Sequence, residues 1–138
     1  MQITLEQLEK FEACSGGIRY FLSRDWKSDA EILEDLSRLN HIWMWWLATK
    51  FQLPLPAWLP ILKCEELFGY AHPLPVKLKI LVCQNLSGYD HRLPSGLKSL
   101  TCINLLNYDH PLPAKLKTLA CRDLSNYTHP LPVKVKRL

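Results

Sequence analysis

Residues 74–92 read LPVKLKILVCQNLSGYDHR, and residues 93–111 read LPSGLKSLTCINLLNYDHP. The same frame extends both ways. Residues 55–73 read LPAWLPILKCEELFGYAHP, residues 112–130 read LPAKLKTLACRDLSNYTHP, and LPVKVKRL opens a partial fifth unit at 131–138. Cysteines fall at 64, 83, 102 and 121, tyrosines at 70, 89, 108 and 127, and histidines at 72, 91, 110 and 129. Leu-Pro pairs begin at 55, 74, 93, 112 and 131, so every interval is 19 residues. Independent residue types sharing one period define an internal repeat, the signature of a solenoid.

The chemistry inside a unit says how it folds. Leu81-Val82-Cys83 places apolar residues two apart, the period of a strand with one face inward. Tyr-x-His-Pro excludes a helix, because proline restricts the preceding residue to extended geometry. Each unit is therefore expected to be a short strand, a turn and an extended return. One such coil cannot bury its own apolar edge, but stacked coils can, with strands paired in parallel at about 4.8 Å.

Upstream the grammar changes. All ten prolines lie at or after Pro54, which leaves the helix-compatible sequence before it. Leu5, Leu8, Phe11 and Cys14 form a helical stripe, with Thr4 as N-cap and Ser15-Gly16-Gly17 as a stop. A second short helix is expected over Ile18 to Ser23. A third runs from Ser28 to Asn40, where Ser28 and Glu31 form a capping box and Ile32, Leu33, Leu36 and Leu39 share a side. A fourth, His41 to Phe51, carries Trp43, Trp45 and Trp46. Trp58 and Pro60 of the first coil replace lysines found later. A Trp-rich helix is therefore expected to cover that coil's apolar end.

Charge divides at the same point. Residues 1–53 hold six Lys/Arg and eight Asp/Glu, a net of −2, whereas residues 54–138 hold eleven and five, a net of +6. A basic repeat suits an acidic partner. Met1 to Lys10 is too polar for a secretory leader, and Ile42 to Ala48 is too short to span a membrane. A soluble intracellular chain is expected, with its five cysteines reduced and no membrane partner.

Three ladders follow from the period. Thiolates must converge tetrahedrally to hold a metal, whereas stacked equivalents form a line. Cys64, Cys83, Cys102 and Cys121 are therefore expected to fill an interior corner. The histidines are expected to satisfy backbone groups of the return, with tyrosine packed behind. No metal, cofactor or catalytic residue is expected, because no His stands near a nucleophile except by repetition. The third ladder is basic: Lys77 and Lys79, Lys98, Lys115 and Lys117, and Lys134 and Lys136 occupy seven of eight equivalent positions, with Gly96 as the exception. Leu78, Leu97, Leu116 and Val135 between them point inward, so the lysines point outward.

The strand positions that point away from the core do not repeat. They are Ile61, Lys63 and Glu65; Ile80, Val82 and Gln84; Ser99, Thr101 and Ile103; and Thr118, Ala120 and Arg122. Framework positions recur because coil geometry demands them, and positions free to diverge are where a specific partner is read. The nine residues from Ile80 to Arg122 in this set are the expected protein-binding face. The lysine ladder is the candidate surface for an acidic strip or a phosphate backbone.

The L-x-x-L-x-C core behind L-P resembles a short bacterial leucine-rich repeat. Tyr108, Asp109, His110, Pro111, Leu112, Leu116, Leu119 and Cys121 are similar to the FNIP repeat, with a shorter unit and cysteine where an aromatic is usual. That resemblance, over residues 55–138, implies a solenoid used for protein binding. The segments from Ala13 to Phe21 and Ile42 to Ala48 resemble the N-terminal module of small phage, prophage and immunity-type proteins. The fold class expected is thus α+β, with a helical bundle (residues 1–53) capping a leucine-rich-repeat-like solenoid with a parallel sheet (54–138). The implied function is a non-enzymatic, phage-derived inhibitor of a bacterial defence system. It would act like an anti-CRISPR protein, by steric occlusion of a host complex in the bacterial cytoplasm. A nucleic-acid-binding protein using the lysine ladder is the alternative. The open edge of the last coil is a candidate homodimer contact.

Overall fold

A computed structural model describes residues 4–10, 12–22, 28–67, 69–105, 108–125 and 127–137, with no side-chain description for 20–22. Phe11, Ser23 and Leu138, and the side chain of Phe21, were given places by the sequence and lie outside the described set. The chain divides into two compact units, Met1–Leu53 and Pro54–Leu138.

The first unit holds four helices: α1 (Leu5–Lys10), α2 (Ser15–Leu22), α3 (Asp29–Leu39) and α4 (His41–Lys50). Helix α1 packs on α2, and α3 on α4. Thr4 Oγ1 accepts from the Gln7 N–H at 3.2 Å while Gln7 Oε1 accepts from the Thr4 N–H at 2.9 Å, a reciprocal cap. Ser28 caps α3 by accepting from the Glu31 N–H at 3.2 Å. Asn40 serves two helices. Its N–H donates to the Leu36 carbonyl at 2.7 Å, and its side chain accepts from the Trp43 N–H at 3.1 Å. The core here is Leu8, Ile32, Leu33, Leu36, Met44, Leu47, Ala48 and Phe51.

One expectation needs correcting. Ser15-Gly16-Gly17 does not stop the first helix; it starts α2, and α1 already ends at Lys10. The chain turns instead at Glu12, whose φ of +62° is left-handed. A Cβ at Gly16 would sit 3.5 Å from the Trp43 ring, ordinary van der Waals contact, so Gly16 lies against that indole without being required there.

The second unit is a parallel β-solenoid of about four turns. Its strands are β1 (Ile61–Glu66), β2 (Ile80–Asn85), β3 (Ser99–Asn104), β4 (Thr118–Asp123) and the short β5 (Lys136–Arg137), in sheet order β1-β2-β3-β4-β5. Through the first four strands register is set by the period: Leu62 pairs with Leu81, Leu81 with Leu100, and Leu100 with Leu119. At β5 it shifts by one residue, with Thr118 opposite Lys136 and Leu119 opposite Arg137. The four leucines are at most 1 % exposed. A one-residue slip would turn them to solvent, which is why the register is strongly specified.

Two hydrogen-bonded turns close each coil. In the first, the Leu78, Leu97 and Leu116 N–H groups donate to the carbonyls of Pro75, Pro94 and Pro113 at 3.0–3.1 Å. In the second, Tyr70, Tyr89, Tyr108 and Tyr127 donate their N–H to Leu67, Leu86, Leu105 and Leu124 at 3.0–3.2 Å. Gly69 and Gly88 sit in this second turn at φ of +77° and +74°, a conformation that penalises a side chain.

Candidate functional site

The sheet turns two rows of Leu and Cys inward and leaves three rows outward. In the first outward row Ile61, Ile80, Ser99 and Thr118 are register partners. It changes along the stack from two exposed isoleucines to two hydroxyls, joined by Thr118 Oγ1 donating to Ser99 Oγ at 3.0 Å. The second row is Lys63, Val82, Thr101 and Ala120, again in register. The third is Glu65, Gln84, Ile103 and Arg122, all exposed. A shallow groove runs across the coils between the second and third rows, lined by Lys63, Val82, Thr101 and Ala120 on one side and Gln84, Ile103 and Arg122 on the other. Six of the nine residues expected to form a binding face line this groove, and the other three, Ile80, Ser99 and Thr118, lie in the first outward row. Lys63 joins the groove from the first coil.

The seven lysines are all exposed, and Leu78, Leu97 and Leu116 between them are buried. The backbone explains their alignment. Lys98 N–H donates to the Lys79 carbonyl at 2.8 Å, Lys117 to Lys98 at 2.9 Å, and Lys136 to Lys117 at 2.8 Å. One column is therefore built into the coil ladder. At Gly96 the second column is missing a side chain, and Lys79 Nζ lies 3.0 Å from where a Cβ would stand there. A broad depression opens among Lys79, Lys98, Lys115, Lys117 and Lys134, with walls from Pro132, Val133 and Ala114.

The other two ladders bind coil to coil. Tyr89, Tyr108 and Tyr127 donate their hydroxyls to the carbonyls of His72, His91 and His110 in the preceding coil, at 2.9, 3.0 and 2.7 Å. The N–H groups of Leu74, Leu93 and Leu112 donate to the same phenol oxygens. His91 Nε2 lies 2.8 Å from the Ala71 carbonyl and His110 Nε2 2.7 Å from that of Asp90. A carbonyl only accepts, so both rings carry their proton on Nε2. In the last full coil His129 reaches the Asp109 carboxylate at 3.3 Å instead. Burial pushes Tyr70 up to about 12 and raises Tyr89 and Tyr108 as well, so these phenols are held neutral.

All five cysteines are free thiols. Cys83 and Cys102 are buried, and Cys64 and Cys121 half-buried, at the ends of the row. The hydrogen bond to Cys83 and then burial raise the Cys64 thiol above its ordinary value, which leaves it a packed, protonated group. Among the described residues, no group of three or more His, Cys, Asp or Glu is placed to hold a metal ion, and no helix is long and apolar enough to cross a membrane.

One ladder escaped the sequence reading. Glu66, Asn85, Asn104 and Asp123 are register partners at the strand ends. Asn85 Oδ1 accepts from the Ser87 N–H at 2.7 Å, and Asp123 Oδ1 from the Ser125 N–H at 2.9 Å and its hydroxyl at 2.6 Å. The Ser125 bonds also hold the Asp123 carboxyl below its ordinary value. Its signal was Asn-x-Ser and Asp-x-Ser, the signature of a side chain capping the turn two residues on. In the helical unit Leu8, Cys14, Leu36, Trp43 and Trp46 line an apolar hollow. Trp43, Trp45 and Trp46 are each half-buried. Comparison with protein-family models, with curated proteins and with solved structures finds no match to this chain.

Proposed function

We propose that the chain is a non-enzymatic protein-binding protein whose strand face is the docking surface. The observation that carries this reading is the contrast between the faces. The inward rows repeat almost without change, whereas the outward rows bring Val82, Ile103 and Ala120 together with Thr101, Gln84 and Arg122 around one groove. Mixed apolar and hydrogen-bonding side chains on a rigid sheet suit the centre of an interface. Area limits the claim usefully. Four strands at about 4.8 Å, six residues long, span roughly 300 Å². A standard interface buries about 800 Å² per partner. The face is therefore the energetic centre of a larger footprint that extends over the coil edges.

The finer reading is ours as well. The coils belong to the leucine-rich or FNIP type, the helical unit shields the apolar end of the first coil, and the protein is a phage-derived inhibitor of a bacterial defence complex acting by steric occlusion. Support for these points is the motif resemblance and the Trp58 and Pro60 substitutions in the first coil. Self-association through the last coil is a weaker proposal. Edge strand β5 is two basic residues, and short, charged edges resist pairing. The test is affinity capture with Val82, Thr101 and Ala120 replaced by glutamate. Loss of the partner with the fold intact supports the strand face; undiminished capture removes it.

A further inference from the structure

The lysine edge has no use in the strand-face reading and does not depend on it. Lys79, Lys98, Lys117 and Lys136 stand in one hydrogen-bonded column, at a spacing of about 4.8 Å and a total span of about 14 Å. Lys77, Lys115 and Lys134 stand in a parallel column two residues away along the chain. The depression between them is lined by five lysines and no carboxylate among the described residues. None of the seven lysines takes part in an ion pair among the described residues. Like charges at this spacing repel, and no ion pair among the described residues neutralises them. Charge complementarity then calls for an anion that repeats.

We propose that this edge is a sequence-independent binding site for the phosphate backbone of double-stranded nucleic acid. Three observations choose this polyanion over others. First, the lining holds no arginine among the described residues. The ammonium of lysine is a point charge that takes phosphate without the fork that reads guanine or clamps a carboxylate. Second, no aromatic side chain lines the depression among the described residues. Trp58, which holds the place of Lys77 in the first coil, stands at the opposite end of the stack. Single strands are bound on stacking platforms, which this edge lacks. Third, the backbone N–H groups of Lys98, Lys117 and Lys136 are already used between coils, so an acidic peptide finds no strand to add to. A column of about 14 Å faces about four phosphates of one strand at 3.4 Å each.

The test is fluorescence anisotropy with the full chain and three probes: a labelled duplex of about two helical turns, one of its single strands, and a polyglutamate peptide as competitor. The duplex is expected to bind. Its log–log salt slope should be about −3 to −4 between roughly 50 and 200 mM salt, with little change for a second duplex of unrelated sequence. Lys98→Ala/Lys117→Ala should weaken binding at least about tenfold at the lower salt and reduce the slope by about 2. Lys10→Ala/Lys50→Ala, which removes as much charge from the helical unit, should change neither. Thermal melting checks the fold of each variant, and Lys115→Ala/Lys134→Ala replaces the first pair if it melts early. The proposal is overturned by no duplex binding at low salt, by binding indifferent to both ladder pairs, by tighter binding of the single strand, or by equal competition from polyglutamate. Each outcome leaves the strand-face reading untouched, because none of these variants alters a strand-face residue.

Discussion

At the scale of the residue, the tyrosines tie the coils together. Tyr108 is 2 % exposed, and its hydroxyl both donates to the His91 carbonyl and accepts from the Leu93 N–H. Tyr108→Phe keeps the ring but strands two buried backbone groups of the neighbouring coil. Leaving such groups unsatisfied costs about 1–3 kcal/mol. Chemical denaturation should show a loss in that range, and a change below about 0.5 kcal/mol would mean that water replaces the hydroxyl. The histidines are placed differently. Their rings are half-exposed and their bonds reach the coil before through Nε2. Tyrosine is thus the interior half of a two-residue staple and histidine the outer half, with ring centroids 5.5–5.8 Å apart.

At the scale of the element, the solenoid gains stability coil by coil through its neighbours. Leu100 is 1 % exposed in the middle strand and packs between Leu81 and Leu119. Leu100→Ala should cost about 2–5 kcal/mol. Leu131 of the last coil is half-buried, so Leu131→Ala should cost less than half as much. Equal losses by urea denaturation would contradict a stack whose ends are less well packed. These elements were legible in the sequence to different degrees. The first four strands, their register and the outward rows follow from a period that five kinds of residue share, whereas the pairing of β5 is one residue out of that period. The helix boundaries near Ser15 do not follow, because a Gly-Gly pair reads as a helix stop, whereas the left-handed turn falls on Glu12 and the glycines lie in the first turn of α2. The asparagine and aspartate turn caps are written in plain motifs, Asn-x-Ser and Asp-x-Ser, but these stand at the strand ends, outside the alternation of inward and outward residues. Which outward row forms a groove could not be read, since twist decides how far the side chains of neighbouring strands part.

At the scale of the whole molecule, the repeat gives every coil the same titratable groups, so their responses to pH coincide. Burial raises Tyr70 from its ordinary 10.0 to about 12 and raises Tyr89, Tyr108 and Tyr127 too. A raised phenol pKa means that the folded state favours the neutral form. Its stabilisation is complete below pH 10 and is lost as pH climbs toward 12 and beyond. The solenoid should therefore lose its strand signal cooperatively in alkali, starting above about pH 10, with tyrosinate absorbance rising in the same window. Tyrosinate forming at pH 10 with the sheet unchanged would contradict the burial described. Charge is the other collective property. The basic residues of 54–138 are concentrated on one edge, whereas the strand face mixes signs through Lys63, Glu65 and Arg122. Two surfaces of different chemistry can thus be varied independently.

That independence sets the measurement that bears most directly on the strand-face claim: affinity for the captured partner, compared between two variants of equal thermal stability. With Val82, Thr101 and Ala120 replaced by glutamate, the affinity should fall at least about 30-fold, the size of a lost interface centre. With Lys98→Ala/Lys117→Ala it should change by less than about threefold. The reverse order, with the lysine pair abolishing binding and the strand-face triple leaving it intact, would contradict the account.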